Sequence, residues 1–206
     1  MELRVYRSDS ATAALVVGHG AGAGQNSPFM VRTAEGLAAR GIAAATFDFP
    51  YMTARKSVPD RPPVLEQAWR DAIARARTEL SGLPLFIGGK SMGGRIASQV
   101  ASQGVEGLSG LVFLGYPLHP PGKPEQRRDA HLPAIAQPML FVQGSRDPFG
   151  TADEIRALLP RLQHAELHEV AGGDHSFKVS GKGAPKPDAV LNAILDVIRR
   201  WVLQGA

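Results

Sequence analysis

The sequence predicts an α/β fold, a mostly parallel doubly wound sheet flanked by helices. Three observations carry this. Short runs of strand length alternate along the chain with amphipathic stretches of helix length. Several of the runs are apolar throughout, as strands buried on both faces are. The 206 residues are 44% hydrophobic and 20% charged, which supplies a core and excludes a disordered chain. At ordinary domain size the whole chain, 1–206, is expected to be one domain.

Residues 3–7 alternate and fit an edge strand. Ala13–Gly18 (AALVVG) is continuously apolar and fits a buried strand. Residues 27–40 form a helical stretch, and 42–49 the next strand. Residues 64–80 form a long helix, because Leu65, Ala68, Trp69, Ala72, Ile73 and Ala76 recur at steps of three and four. A strand follows at 85–89, a helix at 92–103 and a strand at 111–115. Met139–Gly144 is a strand, 153–159 a helix, 166–170 a strand and 188–203 a closing helix. Two proline-bearing connections, 50–63 and 116–138, are expected to be loops.

Composition removes several functions. The chain has no cysteine, hence no disulfide, thiolate metal site or cysteine nucleophile. The opening MELRVYRSDS has no apolar h-region, and no run is long enough to span a bilayer. A cytoplasmic protein with no membrane partner is expected. The net charge is +4, the arginines are scattered and aromatics are 6%, so no nucleic-acid partner is expected.

Sites in doubly wound sheets lie beyond the carboxyl ends of the strands. Gly89-Lys90-Ser91-Met92-Gly93 fits G-x-S-x-G between a strand and a helix. There the glycines allow a sharp turn that lifts the serine hydroxyl clear of the sheet. A helix-capping serine behind a glycine turn is the plainer alternative. A Walker A loop fails, because Pro84 stands where its first glycine belongs. The run His19-Gly20-Ala21-Gly22-Ala23-Gly24 fits no G-x-G-x-x-G, although Asp48 stands where a ribose-binding acid would. It is better explained as a glycine-rich loop whose backbone N–H groups face the serine. His19 is expected to be a structural hydrogen-bonding residue.

A serine nucleophile needs a base, and the base needs an orienting carboxylate. Of the histidines after Ser91, His119 and His131 sit in the proline-rich connection. His164 and His168 are expected on one solvated strand face. Only His175 follows a strand and a Gly172-Gly173 turn. Asp147 directly follows a strand in Gly144-Ser145-Arg146-Asp147-Pro148. Asp153 is expected to cap its own helix, and Asp174 to close its turn. His164-x-x-x-His168 lacks the glutamate of H-E-x-x-H and has a strand's period, so no metal is expected. Lys90, Arg55, Lys56 and Arg95 are expected to be solvated side chains rather than a basic rim.

These residues resemble the α/β-hydrolase superfamily. The loop His19–Gly24, the elbow Gly89–Gly93, the acid turn from Gly144 to Gly150 and the base turn from Gly172 to Phe177 occur in its order. The likeness covers essentially the whole chain. More narrowly the chain is similar to a lidless, dienelactone-hydrolase-like branch. Within it, the Gly-Lys-Ser-Met-Gly-Gly-Arg elbow and the Pro-Tyr-Met run at 50–52 look closest to small bacterial hydrolases related to eukaryotic testis-expressed and chromatin-complex (NSL subunit) hydrolase-like proteins. The resemblance implies a minimal α/β-hydrolase fold with Ser91 as nucleophile, His175 as base and Asp147 as orienting acid. It implies an oxyanion hole made by the backbone N–H groups of Met92 and Ala21.

The activity so implied is that of a serine hydrolase acting on a small ester or thioester without a cofactor. Gly20, Gly22, Tyr51, Lys90 and Tyr116 are expected to contact the substrate. A non-catalytic interaction protein that keeps the fold is the alternative. Pro117, Pro120, Pro121, Pro124 and Pro133 deny a long helix to the 116–138 connection. Little or no lid, a shallow site and short acyl chains are expected.

Overall fold

The computed structural model describes residues 2–204. Met1 and the last two positions, with which the expected 1–206 domain begins and ends, lie outside the described residues. Seven strands form one sheet: β1 (Arg4–Tyr6), β2 (Ala13–Gly18), β3 (Ile42–Phe47), β4 (Leu85–Lys90), β5 (Gly110–Leu114), β6 (Met139–Gly144) and β7 (Ala165–Val170). Their order is β1-β3-β2-β4-β5-β6-β7, with only β1 antiparallel to its neighbour. Every residue of β2, β3, β5 and β6 is buried, which is why these strands read as unbroken apolar runs.

Among the described residues six α-helices accompany the sheet: α1 (Pro28–Ala38), α2 (Pro50–Thr53), α3 (Pro62–Glu79), α4 (Met92–Ala101), α5 (Ala152–Arg156) and α6 (Pro187–Gln204). Alternate residues of each strand face opposite layers. Ala14, Val16 and Ile87 pack with Trp69 of α3 and Ile96 of α4, whereas Leu15, Val17 and Phe86 pack with Leu37 of α1 and Ile198 of α6. Among the described residues no helix is long and apolar enough to cross a membrane.

Three expectations need correction. The connection 50–63 is not all loop, because Pro50 opens the short α2 and the pair Pro62-Pro63 starts α3 two residues early. Proline suits a first helical turn, where its missing N–H is not needed. Asp153 does not cap α5. Thr151 does, in a capping box with Glu154, while exposed Asp153 pairs with Arg156. His164 lies before β7 and His168 is half-buried within it, so the two do not share one solvated strand face.

The sheet reverses its winding between β2 and β4, since β3 lies on one side of β2 and β4 on the other. At that crevice α4 presses against the end of β2. A Cβ on Gly93 would lie 2.2 Å from the Gly18 carbonyl oxygen, and one on Gly89 would lie at the same 2.2 Å. Trp69 locks the approach by donating its indole N–H to the Gly93 carbonyl at 3.0 Å. Gly93→Ala should therefore lower stability by at least about 1–3 kcal/mol, the usual cost of overpacking. Urea unfolding should show this as a lower midpoint with the slope unchanged; an unchanged midpoint would contradict the contact.

Candidate active site

Ser91 stands between β4 and α4 at φ 50° and ψ −115°, a conformation that costs a non-glycine residue strain energy. The surroundings hold it there. Its N–H donates to the Leu114 carbonyl of β5, and its own carbonyl accepts the Arg95 N–H of α4. The serine consequently sits at the mouth of the crevice rather than inside the sheet.

Two side chains from later turns reach it. His175 Nε2 lies 2.9 Å from the Ser91 hydroxyl, and His175 Nδ1 lies 2.7 Å from Asp147 Oδ2. The carboxylate can only accept, so it draws the ring proton to Nδ1 and leaves Nε2 free to accept from the serine. Asp147 is itself fixed. Its Oδ1 accepts the Phe149 N–H at 2.8 Å, and its Oδ2 accepts from Gln143 Nε2 at 2.9 Å. Phe149 also covers the imidazole, ring centroids 4.3 Å apart.

The loop after β2 faces the serine. Buried His19 accepts the Phe49 N–H at Nε2 and donates from Nδ1 to the Gly20 carbonyl at 2.8 Å. Burial, the largest influence, lowers its pKa and keeps the ring neutral, as this pairing requires. Tyr51 donates its hydroxyl to the Ala21 carbonyl at 2.8 Å, and burial pushes its pKa up to about 12. Asp48 accepts the Gln25 N–H at 2.7 Å and so closes the far end of the loop. Neither the Met92 nor the Ala21 N–H donates to an acceptor within the described residues. Both remain available to a ligand oxygen.

A family model for the alpha/beta hydrolase domain matches residues 11–203. The chain belongs to this family. Solved structures agree in fold. Est1E from Butyrivibrio proteoclasticus, solved with ferulic acid bound, is 13% identical with a TM-score of 0.78, over 99% of this chain and 94% of that one. Dienelactone hydrolase from Anabaena variabilis is 21% identical with a TM-score of 0.77, over 98% and 90%. Monoacylglycerol lipase from Paleococcus ferrophilus is 16% identical with a TM-score of 0.72, over 100% of both chains.

In this hydrolase a cleft of about 640 Å³ opens over Ser91 and His175. Gly20, Ala21, Gly22, Lys90 and Met92 line it. Tyr51 and Tyr116 do not. Both are buried inward, Tyr116 donating to the Arg128 carbonyl at 2.8 Å, because the chain turns into the core after β3 and β5. Lys90 and Arg95 are half-buried in the cleft wall rather than freely solvated, while Arg55 and Lys56 are exposed away from it. The connection 116–138 forms no helical lid. Its one regular element is a 3₁₀ turn at Leu132–Ala134, and Leu118, Leu132 and Ile135 pin it to the core.

A second serine–histidine pair, Ser98 and His131, lies 2.7 Å apart beneath this connection. Ser98 is buried and gives its proton to the Arg95 carbonyl at 2.7 Å, so it accepts from His131 and cannot be activated by it. No three His, Asp or Glu side chains converge as a metal site among the described residues.

Gln143 belongs to none of the motifs in the sequence. It is fully buried at the end of apolar β6, where a lone amide was the available signal. Its Oε1 accepts the Tyr116 N–H at 2.8 Å, and its Nε2 donates to Gly150 and Asp147. Gln143→Leu strands a buried N–H and a carbonyl, each worth about 1–3 kcal/mol. Its melting temperature should fall well below that of the parent, and activity per folded molecule should fall with it. A variant as stable as the parent would show that the amide holds nothing.

Proposed function

We propose that this chain is a serine hydrolase that cleaves a small carboxylic ester or thioester through an acyl-enzyme. The observation that carries this is the hydrogen-bonded series Ser91–His175–Asp147 at the floor of the cleft. It also fits a place in the dienelactone-hydrolase-like branch, beside the bacterial relatives of the testis-expressed and chromatin-complex proteins. The elbow Gly89–Arg95 supports that placement.

In this mechanism the Ser91 hydroxyl attacks the carbonyl carbon as its proton passes to His175 Nε2. Asp147 stabilises the resulting imidazolium through Nδ1–H. The carbonyl oxygen, now an oxyanion, accepts from the Met92 and Ala21 N–H groups, with the Met92 donor at the start of α4. His175 then protonates the leaving alkoxide or thiolate. Water attacks the acylated serine with His175 again as base, and the acid departs.

A fluorophosphonate probe should label Ser91 in the folded protein. Ser91→Ala and His175→Ala should each reduce kcat by a factor on the order of 10⁴ or more, and the double variant little further, because the two act as a unit. Asp147→Asn should cost less than either. Additive losses would contradict a shared role, and folded protein that never reacts with the probe would favour the non-catalytic alternative. EDTA should leave the rate unchanged.

Chain length tests the cleft. Without a helical lid, few acyl methylenes are buried, and each is worth roughly 0.8 kcal/mol. Across p-nitrophenyl esters, kcat/KM should peak at short acyl chains, about two to four carbons on this bookkeeping. A steady climb to palmitate would require a deep apolar tunnel instead.

A further inference from the structure

Lys90 immediately precedes Ser91 and lines the same cleft, and its ammonium is engaged by the backbone of the base. Its Nζ lies 2.6 Å from the carbonyl oxygen of His175, a bond that ties the nucleophile's strand to the base's backbone across 85 residues. The same Nζ lies 5.4 Å from the centroid of the Phe177 ring. Phe177 has φ 61°, so the loop just after His175 is held in a strained conformation. Room for the amine is left by Gly115 at the end of β5. A Cβ there would come within 2.9 Å of Nζ and 3.3 Å of the His175 carbonyl.

We propose that Lys90 is a positioning residue for the base: its ammonium clamps the His175–Phe177 loop so that Nε2 faces Ser91. The inference rests on the hydrolase mechanism above. Without the clamp, nothing else in the elbow bonds the loop backbone at His175. The ring would keep Asp147 and Phe149, and Asp174 would still accept the Ser176 and Lys178 N–H groups, but no bond would tie the His175 carbonyl to the strand that carries Ser91.

Charge decides the strength of the clamp. Burial is the largest influence on Lys90 and lowers its pKa from 10.5 to about 8. Asp147, from the turn after β6, and Asp174, from the turn after β7, oppose that shift. His175 itself is the other titratable group beside it. Below about 8 the group is an ammonium that makes a charge-assisted bond and a cation–π contact. As pH rises through that value, a neutral amine remains, and both contacts weaken.

The test is the alkaline limb of kcat. The parent should lose turnover with a midpoint near pH 8. Lys90→Met should lose about tenfold to a hundredfold in kcat at neutral pH, with the loss in kcat rather than KM, and should show no such limb. Because the chain has no cysteine, Lys90→Cys is a unique thiol that 2-bromoethylamine converts to thialysine. That amine should restore turnover with its alkaline limb moved to lower pH, since sulfur makes it less basic.

A second readout needs no turnover. The downfield His175 Nδ1–H proton resonance should be sharp in the parent at neutral pH and broadened in Lys90→Met. An active parent whose limb persists unchanged in Lys90→Met, or a Lys90→Met loss confined to KM, overturns the clamp and leaves the hydrolase mechanism standing. An inactive parent whose Nδ1–H resonance still follows Lys90 overturns the mechanism and leaves the clamp.

Discussion

The structure turns on one close approach, that of α4 to the end of β2. Gly18, Gly89 and Gly93 bring two backbones together with no room for a methyl group between them. That contact forces the chain through a tight turn and puts Ser91 at positive φ. It also brings the start of α4 beside the loop after β2. Hydroxyl and backbone donors thereby meet at one point without any side chain intervening. The strain at Ser91, of order 1–3 kcal/mol for such a residue, is tolerable because the sheet beneath it is buried on both faces.

A second layer of polar contacts fixes the groups that come to the serine from later turns. Gln143 links β6, Tyr116 just beyond β5 and the acid turn through one side chain. Its position inside the sheet makes those bonds hard to replace with water. His19 and Tyr51 do the same for the loop after β2, each binding a carbonyl of that loop from below. The connections at the cleft are thus tied down by buried polar side chains. The cleft is assembled from loops but held like a core.

Much of this was legible in the chain. The doubly wound pattern shows because central parallel strands are apolar throughout, and β2 and β6 were bounded to the residue. Ser91, Asp147 and His175 were found by their order and by the turns that follow strands, and the structure brings the three together. What the sequence hid is side-chain direction. Tyr51 and Tyr116 follow strand ends, but a strand end locates a backbone, not the side on which a ring lies. Phe149 and Arg128 line the cleft from loops with no periodicity to place them. Short helices such as α2 carry too few residues for a period to appear.

The charges at the cleft follow from the same division between rigid ends and loops. Asp60 and Arg128 line it from connections, whereas Lys90 ends β4 and Arg95 lies in the first turn of α4. The Lys90 charge is turned toward the His175 backbone. It also lies near Asp147 without bonding to it, so the carboxylate keeps its bonds to His175 and Gln143. Lys90 therefore adds a charge beside Ser91 without taking the acceptor that holds His175.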